Sequence, residues 1–296
     1  MVGSQPSLPR SAREALHAWY EPRARAYPWR RGRPDAYRTL VSELMLQQTQ
    51  AARVEPAYRS FVRRFPSVRA LAAASRADAL RAWAGLGYNR RAVALHRAAR
   101  TVVDVHGGRV PVDPIALRAL PGVGPYTAAA VASIAGDRPI AAIDVNVRRI
   151  VSRVGFGAEP ADVAPADVDA TAARWLDRAD PGAWNQALMD LGREHCRAVP
   201  RCPRCPLARG CRWRRAHDGT NVSVTRPRQP KQARFEGSTR QVRGRVVDVL
   251  RHSATSDVSS LAATTGFPTE RVAGALEGLV RDGVVRRVGS SFSLPS

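Results

Sequence analysis

Leu120-Pro121-Gly122-Val123-Gly124-Pro125-Tyr126-Thr127 is the stretch on which the reading of the fold turns. Gly122 and Gly124 permit a tight backbone turn, and their missing side chains let a second backbone come close. Pro125 suits the first turn of a helix, and the small-residue run Ala128–Ala135 continues it. Amides at such a turn point outward from the helix start, which makes a phosphate site. A helix–hairpin–helix of this kind grips a DNA backbone at Gly122, Val123 and Gly124 without reading its sequence. The residue after the hairpin, Tyr126, bears on the chemistry.

The 296 residues allow one large domain or two to three smaller ones, and an apolar fraction of 44% is ample for a core. The net charge of +22 implies a polyanionic partner, most simply nucleic acid. A preference for arginine codons would explain why 46 of the 47 basic residues are arginine, but not why acids number only 25. The single lysine is Lys231, in the Pro-, Arg- and Gln-rich stretch Asn221–Gln232. A catalytic Schiff base needs a lysine amine or the chain's amino terminus, so this census argues against lyase chemistry. With no apolar signal core and no run of about 18 apolar residues, the expected location is the cytoplasm, with no membrane contact.

Apolar residues recur every three to four positions over 11–20, 38–48, 51–65, 76–83, 90–106, 115–120, 125–135, 145–154, 165–178 and 181–195, predicting helices. Gly and Pro mark the breaks, and strand-like alternation is absent, so the bulk of the chain is expected to be all-α. Between Cys196 and Arg245, fourteen basic residues face two acidic ones, Asp218 and Glu236, which favours DNA contact. Residues 238–296 read as a separate winged-helix-like module. Its helices are expected over 240–252, 256–264 and 269–282, with short strands over 284–288 and 291–294. Such a module binds nucleic acid or serves as a packing unit; its pattern fits both.

Cys196, Cys202, Cys205 and Cys211 are the only cysteines and are spaced C-x5-C-x2-C-x5-C. Four thiolates this close can hold a 4Fe–4S cluster or one tetrahedral zinc, and the presence of a single CxxC favours iron–sulfur. Beside them, His195 reads as a surface or capping residue. Glu43 in Ser42-Glu-Leu-Met-Leu-Gln-Gln-Thr-Gln50 and Asp144 in Ala141-Ala-Ile-Asp-Val-Asn-Val-Arg148 are acids in charge-poor segments. A carboxylate among apolar neighbours can act as a general acid. Taken alone, Glu43 reads as a partly exposed helix residue, and Asp144 as an N-cap with Asn146 in the first turn.

The order SELMLQQTQ, GLGY, LPGVGPYTAAAV, IDVNVRR and the cysteine loop resembles the adenine DNA glycosylases of the MutY type, over roughly residues 14–215. They belong to the helix–hairpin–helix glycosylase superfamily. The resemblance implies one six-helix lobe at 36–137, with the hairpin motif at 115–135. It implies a second lobe joining 1–35 to 138–219 and carrying a 4Fe–4S cluster on the four cysteines. A basic linker at 220–237 and the module at 238–296 complete the division. Glu43 would protonate the adenine ring, and Asp144, held by Tyr126 and Asn146, would stabilise or transiently bond the sugar cation. Gln48 and Tyr88 match residues that wedge into the duplex. Trp29, Arg30 and Gln186 match the pocket for the flipped adenine. At position 126 the endonuclease-III-like branch has the lysine of a bifunctional lyase. Tyrosine has no amine and implies glycosylase activity alone, in agreement with the lysine census.

The resemblance implies action on double-stranded DNA with adenine mispaired with 8-oxoguanine or guanine; a monomer is expected, nucleoid-associated in a prokaryote. Three positions depart from the family pattern. The first cysteine interval is five residues rather than six. Asn89 stands where a second aromatic is common. Residues 238–296 are too short for the NUDIX-like domain that helps recognise 8-oxoguanine. A thymine glycosylase for T·G mispairs is the rival enzyme, disfavoured by Gln47-Gln48 within the SELMLQQTQ segment. A non-catalytic DNA-binding iron–sulfur protein is the other rival, disfavoured by the joint presence of Glu43, Tyr126, Asp144 and Asn146.

Overall fold

A computed structural model describes residues 6–24, 26–217 and 234–296; Lys231, with residues 220–233 of the basic linker, lies outside these residues. In chain order the helices are α1 (Arg10–Tyr20), α2 (Ala36–Leu46), α3 (Ala51–Arg64), α4 (Val68–Ala73), α5 (Arg76–Ala82), α6 (Arg90–His106), α7 (Pro114–Arg118), α8 (Pro125–Gly136), α9 (Val145–Ile150), α10 (Pro165–Trp175), α11 (Pro181–Glu194) and α12 (Arg212–Ala216). The carboxy-terminal part follows as α13 (Thr239–His252), β1 (Ser256–Asp257), α14 (Val258–Thr265), α15 (Thr269–Arg281), β2 (Arg286–Val288) and β3 (Ser291–Ser293). The chain forms two compact units. The first takes residues 1–40, 111–119 and 123–229, the second 41–110, 120–122 and 230–296.

In the first unit, Leu16 and Tyr20 of α1 share a core with Val147, Ile150, Trp175, Trp184, Leu188, Leu191 and Trp213. Trp184, Leu188 and Leu191 are spaced four and three apart, so one stripe of α11 faces that core. Burying each such side chain contributes about 1.5–3 kcal/mol. Helix α8 is buried continuously from Thr127 to Ile134, as its all-round small apolar sequence requires. Helix α11 comes close to it at Gly182, where a Cβ would lie 3.1 Å from Ile134 Cα. Asn185 fixes the segment before α9: its Nδ2 donates to the Ile140 carbonyl (2.8 Å), and its Oδ1 accepts from Ala142 N–H (3.0 Å).

The sequence predicts one helix over 145–154. Instead, α9 ends at Ile150 and the chain continues in wider π-helical turns, Val151–Phe156. Inside those turns Arg153 is 1% exposed. It donates to both carboxylate oxygens of Glu159, at 2.9 and 3.0 Å, and to the carbonyls of Arg197 and Ala198.

In the second unit, Val54, Tyr58 and Phe61 of α3 are buried, and Phe61 meets Phe65 and Trp83 edge-on at 5.0 and 5.9 Å. Helix α4 has no counterpart among the predicted helices; Ser67 starts it by accepting from Ala70 N–H. The carboxy-terminal module has its own core, including Val246, Leu250, Leu276 and Phe292. Its sheet has the antiparallel order β1-β3-β2, so β1 adds a third strand to the predicted hairpin. The module is tied to α5 by main-chain groups: Ala77 N–H donates to Pro295 O (2.8 Å), and Arg251 Nε to Leu80 O (3.1 Å).

The hairpin turn needs glycine only at position 122. Gly122 has φ +79°, and a Cβ there would lie 2.7 Å from the Ala94 Cβ. Gly124 has φ −85° and open space around its Cβ position. We therefore expect Gly122→Ala to destabilise the protein by about 2 kcal/mol through left-handed strain and overlap. Gly124→Ala should have little effect. Thermal melting of the two variants tests the contrast.

Candidate active site and nucleic-acid interface

Asp144 is the N-cap of α9. Its Oδ1 accepts from the N–H groups of Asn146 (2.9 Å) and Val147 (2.7 Å), and its Oδ2 from Asn146 Nδ2 (2.7 Å). Both carboxylate oxygens are thus fixed at a helix start, where negative charge is favoured. Asn146 is oriented in turn by Arg149, whose Nη2 donates to Asn146 Oδ1 at 2.7 Å. The same guanidinium donates to the carbonyls of Gly192 (3.0 Å) and Cys196 (2.5 Å). Gly192 lets α11 reach this turn: a Cβ there would lie 2.4 Å from the Asn146 Cβ. On α8, the Tyr126 hydroxyl donates to Met189 Sδ (3.3 Å) of α11.

The three expected pocket residues also belong to this unit. Trp29 stacks flat on Tyr27, with ring centroids 4.8 Å apart. Arg30 makes a two-pronged contact with the buried carboxylate of Asp190, at 2.6 and 3.2 Å. Gln186 Oε1 accepts from the Tyr20 hydroxyl at 2.6 Å. Burial pushes the Tyr20 phenol up to about 12, against the opposing pull of Arg30, so it stays a donor at neutral pH. Tyr20, Asp190, Arg149 and Arg153 were not among the expected site residues. Asp190 carried the same signal as Glu43, an acid in an apolar run.

Cys196, Cys202, Cys205 and Cys211 all wall one cavity, together with Arg153, His195 and Trp213. Burial raises the free thiols of Cys196, Cys211 and Cys205, the last to about 12. Bound metal would favour their deprotonation. Among the described residues, no group of three or more His, Cys, Asp or Glu side chains is arranged to hold a metal ion. His195 is the C-cap of α11 and meets Trp19 edge-on at 5.6 Å.

The second unit carries Glu43, Gln48 and Tyr88. Glu43 is 8% exposed on α2, with Val41, Leu44 and Met45 fully buried beside it. Gln48 (φ +56°) and Tyr88 (φ +46°) are two of the three non-glycine residues with left-handed backbones among those described. Such strain persists only where the surroundings enforce it. Arg91 does so. Its Nη1 donates to the carbonyls of Leu44 (2.9 Å), Met45 (2.8 Å) and Gln47, and its Nη2 to Thr49 Oγ1 (3.0 Å) and to the Leu86 and Gly87 carbonyls (both 3.2 Å). Burial lowers its pKa to about 10, so it remains charged at neutral pH. Nothing in the sequence Arg90-Arg-Ala-Val distinguishes Arg91 from its exposed neighbour Arg90.

Residues 41–176 match the family described as HhH-GPD superfamily base excision DNA repair protein. The chain is 40% identical to the adenine DNA glycosylase of Mycolicibacterium smegmatis over 92% of each chain. It is 42% identical to that of Mycobacterium tuberculosis, covering 95% of this chain and 92% of the relative. The human adenine DNA glycosylase is 40% identical over 68% of this chain and 39% of its own length. Among solved structures, a thermostable thymine-DNA glycosylase is similar with a TM-score of 0.63 and 28% identity, over 69% of this chain and 94% of that one. An endonuclease III–DNA complex shares the fold, with a TM-score of 0.59 at 23% identity over 72% and 100%.

The chain belongs to the HhH-GPD superfamily of base excision DNA repair proteins, among the relatives that are adenine DNA glycosylases. It is a DNA glycosylase, an enzyme that hydrolyses N-glycosidic bonds.

Replacing Arg91 by Met should strip the guanidinium from five carbonyls and a hydroxyl, of which Gln47 O and Gly87 O keep a second donor, and cost about 3 kcal/mol. Arg91→Lys, with one ammonium in place of a fork, should recover only part of this. Denaturant titration gives the loss, and proteolysis should show new cleavage at 46–50 and 86–89.

Proposed function

We propose that the protein removes adenine mispaired with 8-oxoguanine or guanine, without cutting the strand. The observation that carries this reading is the Asp144 carboxylate, held by three donors at the start of α9. Glu43 gives a proton to the flipped adenine ring. The C1′–N9 bond then breaks, and its electron pair leaves with the base. The anionic Asp144 stabilises the cation that develops on the sugar, and water adds to C1′ as a proton is released. Asn146 holds Asp144, and Tyr126, whose hydroxyl donates to Met189 in the DNA-free protein, would turn to it when DNA binds. Trp29, Arg30 and Gln186 line the base pocket; with Oε1 engaged by Tyr20, Gln186 has Nε2 to offer the purine. Gln48 and Tyr88 fill the space left in the duplex.

The thiols of Cys196, Cys202, Cys205 and Cys211 suit a 4Fe–4S cluster, since all four wall one shared cavity. When bound, the cluster would fix the loop 196–211 as a structural and DNA-facing element. The hairpin amides at 122–124 would take a DNA phosphate.

The test is incubation with duplexes holding a single A·8-oxoguanine, A·G or T·G pair, analysed with and without alkali. An abasic product at adenine, broken only by alkali, is expected. Product solely from T·G would overturn the adenine assignment, and breaks without alkali would overturn the hydrolytic one. Glu43→Gln should slow single-turnover excision at least ~100-fold while duplex binding persists. Asp144→Asn should also slow it strongly. A near-normal rate in either variant would refute the role given to that residue.

A further inference from the structure

A groove of about 850 Å³ lies between the loop 85–90 and the carboxy-terminal module, within the second unit. Arg53, Arg90, Arg240, Arg243, Arg251 and Arg281 line it, against only Asp248 and Asp282. Both aspartates are already engaged: Asp248 pairs with Arg251, and Asp282 with Arg243 and, at 3.8 Å, with Arg90. The groove therefore keeps a surplus of positive charge that calls for an anionic ligand. Two large aromatics stand exposed in it, Tyr88 at 42% and Phe235 at 59%. Aromatic faces set along an arginine-lined groove are the chemistry of nucleic-acid binding.

The groove's walls are held to one another. Arg251 Nη2 donates to Asn89 Oδ1 at 3.0 Å, and Arg81 Nε donates back to the Arg251 carbonyl at 3.2 Å. The Asn89 that replaces the family's common second aromatic is thus an anchor for the module, directly beside Tyr88. Gly244 on α13 has nothing within 4 Å of its Cβ position, which leaves the floor open to a backbone.

We propose that this groove is a DNA-binding site. It receives the phosphodiester backbone next to the step that Tyr88 enters, with arginines on phosphates and Tyr88 and Phe235 against sugar or base faces. The proposal rests on the reading of Tyr88 as a wedge. It gives residues 234–296 a place in damage recognition that owes nothing to a NUDIX-like domain. An acidic peptide is the competing ligand; the presence of the wedge residue in the wall favours DNA.

The test compares the full-length protein with its Arg53→Ser/Arg281→Ser/Phe235→Ala variant, using fluorescence anisotropy on a fully paired duplex across a salt series. The variant should melt like the parent, bind about tenfold or more weakly, and show a salt slope shallower by about 2, for two lost phosphate contacts. Affinity within twofold at an unchanged slope would overturn the proposal. A photo-reactive p-benzoylphenylalanine at position 235 gives a readout independent of stability. It should yield a DNA adduct, and no DNA adduct alongside one to an added acidic peptide would also overturn the proposal. Because the duplex has no mispair, these readings stand apart from excision. Failure to release adenine would sink the proposed function and leave the groove intact.

Discussion

One buried guanidinium, that of Arg91, holds together the end of the helix that carries Glu43 and the two loops that carry Gln48 and Tyr88. Its partners are carbonyls and one hydroxyl rather than a carboxylate. Three of the carbonyls, at 44, 45 and 47, belong to the last turn of α2 and the residue just past it. There a helix leaves its C=O groups unpaired and a cation is favoured. Desolvation opposes the charge and lowers the pKa to about 10, but does not neutralise it. A planar fork meets several acceptors at once in a way a lysine ammonium cannot.

The same device recurs in the first unit. Arg149 and Arg153 stand one turn apart, where α9 passes into the π-helical segment, and both donate to main-chain carbonyls of the cysteine loop. Arg149 also reaches Asn146, so the backbone of that loop and the carboxylate of Asp144 lie on one hydrogen-bonded path. The arginine richness that reads as an electrostatic signal is therefore partly structural. Arg91, Arg149 and Arg153 spend their charge inside the fold, while Arg53 and Arg281 keep theirs at the surface.

Much of this was legible in the sequence for identifiable reasons. Long amphipathic helices such as α3, α6 and α11 advertise their period, and Glu43 and Asp144 stood out as acids in apolar surroundings. The six-residue α4 is too short to show a period and depends on the Ser67 cap. Helix α10 stops at Trp175 rather than near 178, because Asp177 turns back to accept from Ala179 N–H and pairs with His17. Nor could spacing reveal the π-helical turns, which exist to seat Arg153 between Glu159 and the cysteine loop. Pairs distant in sequence, such as Arg91 with Leu44 or Arg251 with Asn89, leave no local trace.

In the wedge role proposed for Gln48 and Tyr88, their left-handed backbones bear on how fast such a protein can inspect a genome. Their strain is met once, at folding, and Arg91 keeps both tips from relaxing into commoner conformations. A probe that arrives already bent needs no rearrangement at each base pair it tests. The slow step of inspection then passes to the DNA, and stacked, well-paired steps resist entry where a poorly stacked mispair yields. Selectivity in the search would come from the mechanics of the duplex before any base reaches the pocket.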